Sequence, residues 1–137
     1  MRSVSVLIMA GAIAGCTTAP PPPTNYAEGQ AKLQNIIQGR VAGQPVNCLP
    51  SYQSRNARMI VIDNQTVAFQ VTGGPTYINH LEAGACSGLD SGFYQLVTKS
   101  YGSLCSGDTA RVVDTRNGVG VGSCVIGEFT PYTRAAI

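Results

Sequence analysis

Cysteine is the residue type with the most chemistry in this chain, and its five copies fall into two groups. Cys16 follows Ile13-Ala14-Gly15, the lipobox pattern of a bacterial lipoprotein. Small residues before the cut suit the signal peptidase, and a thiol at the new first position accepts diacylglycerol, with palmitate a typical acyl chain. Arg2 supplies a positive start, and residues 4–14 form an apolar stretch too short for a bilayer span, which takes about 20 residues. The sequence therefore predicts a signal peptide at 1–15, a lipidated cysteine and proline-rich tether at 16–25, and one globular domain at 26–137. Pro20 to Pro23 favour an extended conformation, so residues 17–25 reach roughly 25–30 Å from the lipid.

The second group is Cys48, Cys86, Cys105 and Cys124. An even number of cysteines in an exported chain predicts two disulfides. A nested pairing is expected, Cys86–Cys105 inside Cys48–Cys124, with the outer bridge tying the first strand to the last. The gaps of 38, 19 and 19 residues contain no close pair of the kind that places two thiolates on one zinc ion. No Cys-x-x-Cys redox motif is present either. No metal and no cofactor are expected.

His80 is the single histidine and hence the one imidazole available as a base near neutral pH. Paired with Ser87, Ser106 or Ser123 and with Asp90, Asp108 or Asp114, it defines an alternative reading as a small hydrolase. No Gly-x-Ser-x-Gly elbow supports a strained nucleophile. Asp63, Asp90 and Asp108 are read as turn residues whose side chains hold nearby amides. Gly73-Gly74 lacks the Lys-Ser/Thr that would complete a phosphate loop and is read as a break between strands. Tyr77, Phe93, Tyr94, Tyr101, Phe129 and Tyr132 either line a shallow groove or, as preferred, divide between core (Phe) and its rim (Tyr). A third reading, an enzyme inhibitor presenting a loop between Cys86 and Cys105, follows from the disulfide-rich exported character.

These residues need elements to hold them. Asn25 and Glu28 resemble a capping box, Leu33, Ile36 and Ile37 share one side at helical spacing, and Gly39 ends the run. One amphipathic helix at 26–38, packed on a sheet, is expected. The remainder reads as short strands at 40–49 (interrupted by Gly43 and Pro45), 57–63, 65–71, 76–81, 92–98, 109–115 and 121–129, with a hairpin turn at Arg116-Asn117-Gly118. Residues 59–62 are apolar on both faces, as in a covered central strand, whereas 67–71 alternate as in a half-buried one. The fold class is mainly β: a small antiparallel sandwich or barrel with one N-terminal helix, stabilised by disulfides. Nine basic residues against seven acids leave a formal charge of only +2, a near-neutral balance that argues against nucleic acid as a partner.

Several of these segments resemble a known family. Asn47-Cys48-Leu49, Tyr77-Ile78-Asn79, Cys86-Ser87-Gly88-Leu89, Leu104-Cys105-Ser106-Gly107-Asp108 and Cys124-Val125-Ile126-Gly127-Glu128-Phe129 are similar to an uncharacterised family of small exported bacterial proteins, domain of unknown function 6491. The resemblance spans about residues 39–132 and implies a compact β-rich domain; it carries no known activity, so no catalytic residue is transferred from it. The functional expectation is a non-enzymatic binding or envelope-associated module rather than an enzyme. It is anchored through Cys16 at the periplasmic face of the outer membrane, because Thr17 is not the aspartate associated with inner-membrane retention. Its expected contacts are the membrane, through the lipid, and an envelope protein, glycan or lipid.

Overall fold

The computed structural model describes Gly15 and residues 26–82, 86, 88–98 and 102–136. Cys16, Pro20 to Pro23, Ser87 and Tyr101, with most of the expected signal and tether, lie outside the described residues.

Helix α1 (Tyr26–Ile37) carries Leu33, Ile36 and Ile37 on one side, and these cover Ile62, Ala68 and Ile78. Gly39, at φ 72°, adopts the left-handed conformation that stops a helix cheaply only when no Cβ is present. Gly29 lets the helix approach closely, since a Cβ there would sit 3.2 Å from Asp63 Cβ and from Ile62 O.

Among the described residues ten strands follow: β1 (Arg40–Ala42), β2 (Cys48–Leu49), β3 (Ala57–Val61), β4 (Thr66–Val71), β5 (Thr76–His80), β6 (Tyr94–Thr98), β7 (Leu104–Cys105), β8 (Thr109–Asp114), β9 (Gly120–Val125) and β10 (Phe129–Arg134). They form an antiparallel five-stranded sheet ordered β1-β10-β5-β4-β3, a three-stranded sheet β6-β8-β9, and the pair β2-β7. Both larger sheets keep free edges, so the architecture is a sandwich rather than a closed barrel. The main core joins the sheets: Val67, Phe69, Tyr77 and Phe129 on one side meet Leu96, Ala110, Val112 and Cys124 on the other. Phe129 is fully buried and takes the Phe69 and Tyr77 rings edge-on at 5.6 and 6.3 Å. With α1 on the outer face, the five-stranded sheet is the middle of three layers.

That layering corrects several expectations. The strand expected at 40–49 divides at Gly43 and Pro45 into β1 and β2, which enter different sheets. β3 is an edge strand, not a central one. The strand buried on both faces is β4, because Ala68 meets α1 while Val67 and Phe69 meet the main core. Alternation of size along β4 conceals this, since a small alanine suffices beneath a helix.

The strand expected at 121–129 is two strands parted at Gly127, and β10 continues through Pro131. Pro131 is tolerated inside the sheet because its carbonyl points toward β1, accepting from the Gly43 N–H at 2.7 Å. Its missing donor faces the same way, past the end of β1 rather than toward β5. A short helix α2 (Ser51–Asn56) fills a stretch without apolar periodicity. Local bonds hold it, including Ser54 N–H to Pro50 O at 2.9 Å and Asn56 Nδ2 to Tyr52 O at 2.8 Å.

Candidate functional site

The four core cysteines form two disulfides, but not the expected pairs. Cys48 bonds Cys105 and Cys86 bonds Cys124, an interlaced arrangement instead of a nested one. Strand register explains it. Cys48 faces Cys105 across β2-β7, with Cα atoms 4.0 Å apart. The Ser106 N–H donates to Asn47 O at 2.6 Å in the neighbouring pair, so Cys48 and Cys105 occupy the non-hydrogen-bonded position, where side chains lie closest. The Cys105 N–H, released from the ladder, donates to the Asp108 carboxylate at 2.8 Å. A turn closed by Asp108 N–H to Cys105 O at 3.0 Å, with Gly107 at φ 92°, completes the motif.

The other short motifs are also scaffold. Asn79 is fully buried; its Nδ2 donates to Gly127 O at 2.8 Å and its Oδ1 accepts from Gly127 N–H at 3.0 Å. One side-chain amide thus satisfies both backbone groups of a buried glycine that strand pairing leaves out. Any Cβ at Gly127 would collide with His80 O. Gly88, at φ 82°, lies under the Tyr94 ring, which would be 2.6 Å from an added Cβ.

His80 ends β5 with its ring exposed and its Nδ1 3.3 Å from Thr66 Oγ1, the hydroxyl directly across the ladder. Ser106 lies in the turn after β7 and Ser123 on β9 opposite Arg111. Asp63 accepts from Gln65 N–H at 2.8 Å, in the turn role expected of it. Asp114 is bound in two-pronged fashion by Arg116, at 3.0 and 2.7 Å, and also accepts the Arg116 N–H at 2.9 Å. The Arg116 side chain hydrogen-bonded to it, and then that backbone N–H, hold the Asp114 carboxyl below its ordinary value. The same guanidinium lies 4.8 Å above the Phe93 ring.

The aromatic residues do not converge on one groove. Phe129 and Tyr77 enter the main core, and the Tyr77 hydroxyl donates to Gln53 Oε1 at 2.8 Å. Tyr132 packs on the α1 side, and Phe93 is exposed. The core-and-rim division therefore holds for Phe129, while Tyr77, buried in the core, and Phe93, exposed, depart from it.

The concave feature with unmatched chemistry lies elsewhere. A groove of about 720 Å³ opens beside the β4–β5 turn, lined by Arg40, Arg58, Arg134, Gln70 and the Gly73-Gly74 backbone, with no Asp or Glu in its wall among the described residues. Register assembles it. Arg40 stands directly opposite Arg134 across β1-β10, and Arg58 stands opposite Gln70 across β3-β4. Because side chains alternate along a strand, Arg58 shares the face of Ile60, and Arg134 that of Tyr132, both of which pack on the α1 side. All three guanidiniums therefore rise from the helix-bearing face, just beyond the end of α1. Arg40 Nη1 donates to Tyr132 O at 3.3 Å. Thr76, buried on the same face between Gln70 and Tyr132, has a hydroxyl with no hydrogen-bond partner among the described residues.

Sequence reasoning passed over these arginines. They lie at positions 40, 58 and 134 in a chain of near-neutral charge, and only strand pairing makes them neighbours. Asn79 was likewise visible only as part of a motif. No family model, curated protein or solved structure matches the chain.

Proposed function

We propose that the protein is a lipid-anchored, non-enzymatic binding module of the bacterial cell envelope, carried at the periplasmic face of the outer membrane through Cys16. The observation that carries this reading is the arginine groove: three cations gathered in a concavity with no Asp or Glu in its wall among the described residues. Charge left unmatched in this way suits the capture of a partner. The thiols are occupied in disulfides, and the imidazole of His80 lies against a strand hydroxyl. The Ile13-Ala14-Gly15-Cys16 pattern supports the anchor, and the resemblance to small exported proteins belongs to the same reading. Among the described residues no helix is long and apolar enough to cross a membrane.

The test is cross-linking in intact cells followed by capture of the full chain, together with labelling by an alkyne analogue of palmitate. A defined envelope protein, glycan or lipid and an acyl label lost in Cys16→Ser are expected. A chain that remains unlabelled, or that is captured without any specific companion, overturns the reading.

A further inference from the structure

We propose that the groove between Arg40, Arg58 and Arg134 is a binding site for a phosphomonoester or diphosphate group. This rests on the binding-module reading and names the chemistry of its ligand. The first argument is electrostatic. Arg40 and Arg134 are direct cross-strand partners, which places their Cβ atoms about 5 Å apart, and like charges so placed oppose folding. Arg58 adds a third cation on the same face, and among the described residues the groove wall contains no Asp or Glu to offset any of them. Arg116 shows the contrasting treatment in the same molecule, held by Asp114 at 2.7 Å. An anion seated in the groove converts the repulsion into attraction.

The second argument concerns which anion. A carboxylate offers two oxygens and one charge, enough for a single guanidinium fork. A phosphomonoester offers three terminal oxygens and up to two charges, and a diphosphate more, so several forks are engaged together. The volume of about 720 Å³ suits a headgroup or other small anion. Gln70, on the same face as Arg58, adds a neutral polar side chain to the wall.

The third argument is reach. The tether joins α1 at Tyr26, and the groove lies past the other end of this 12-residue helix, about 18 Å away. The reach expected from the sequence for residues 17–25, roughly 25–30 Å, exceeds that length, so a groove on such a tether would meet a headgroup layer as well as a soluble phosphate.

The experiment is titration calorimetry on the full chain in dodecyl maltoside micelles at low ionic strength. The probes are inorganic pyrophosphate, dihexanoyl phosphatidate and, as a zwitterionic control, dihexanoyl phosphatidylcholine. Pyrophosphate and phosphatidate are expected to bind and phosphatidylcholine not to. Arg58→Gln and Arg134→Gln are each expected to weaken binding about tenfold, and Arg116→Gln to leave it unchanged. Phosphatidate bound more tightly than pyrophosphate assigns the site to a lipid headgroup; equal or weaker binding assigns it to soluble phosphates. Melting temperatures of the two groove variants at or above that of the parent chain exclude misfolding as the cause of lost binding. Absence of binding by both anions overturns the inference, as does binding indifferent to Arg58→Gln and Arg134→Gln. If that happens while cross-linking still returns a defined partner, the phosphate assignment alone has failed.

Discussion

The two ends of β5 and β10 treat polar groups in opposite ways. At one end Asn79 satisfies both backbone groups of Gly127, the Cys48–Cys105 bridge lies across β2-β7, and Asp108 takes the amide that the bridge position leaves free. At the other end Arg40 and Arg134 face each other, Arg58 stands nearby, and Thr76 keeps a buried hydroxyl without a partner among the described residues. The first end has the saturation expected of scaffold, where an orphaned buried group costs about 1–3 kcal/mol. The second keeps charges unmatched. A folded chain selected for stability alone has no reason to do so, and this contrast is what motivates the binding proposal.

The largest effects are expected at the saturated end. Replacing Cys48 and Cys105 together by alanine opens a bridge spanning 57 residues and is expected to destabilise the fold by about 2–5 kcal/mol in denaturant unfolding. Asn79→Ala leaves the buried N–H and C=O of Gly127 without their side-chain partner, for a loss of about 2–4 kcal/mol by the same measurement. An Asn79→Ala chain as stable as the parent breaks the comparison, because the clasp then holds nothing.

At the groove the sign reverses. Arg134→Gln relieves the like-charge pair and is expected to raise stability by about 0.2–1 kcal/mol, an effect that shrinks as salt is added. Destabilisation by this substitution would show that Arg134 belongs to the scaffold after all.

The smallest effect concerns Asp114. Its carboxyl is held below the ordinary value of 3.8 in the folded chain, chiefly by the Arg116 side chain. The folded state therefore binds the proton less readily than the unfolded one. The stabilisation is complete above that ordinary value and is lost as pH falls through the lower folded value. Thermal unfolding followed from neutral to acid pH is expected to show a shallower decline in Arg116→Gln than in the parent chain. Coincident curves contradict the assignment.

Local features were legible where local physics decides them. Leu33, Ile36 and Ile37 with Gly39 announced α1 and its packing side, and Arg116-Asn117-Gly118 announced the β8–β9 hairpin. Asp63 was readable as a turn residue because an Asx turn closes within two residues. β10 was missed because Pro131 argues against a central strand unless the neighbouring strand has already ended. α2 was missed because its stabilising bonds involve polar side chains and leave no apolar period. The motifs around Cys105, Asn79 and Gly127 drew attention for good reason, but their meaning as partners in one clasp depends on residues 48 positions apart.

By itself the sequence determined a helix followed by a β-rich domain and four cysteines destined for two disulfides, because periodicity, turn chemistry and cysteine number are readable without knowing strand order. Only the tertiary structure decided which cysteine meets which and where the arginines collect. Strand order and register make those choices, and a shift of one residue in either strand would send Arg40 and Arg134 to opposite faces of the sheet.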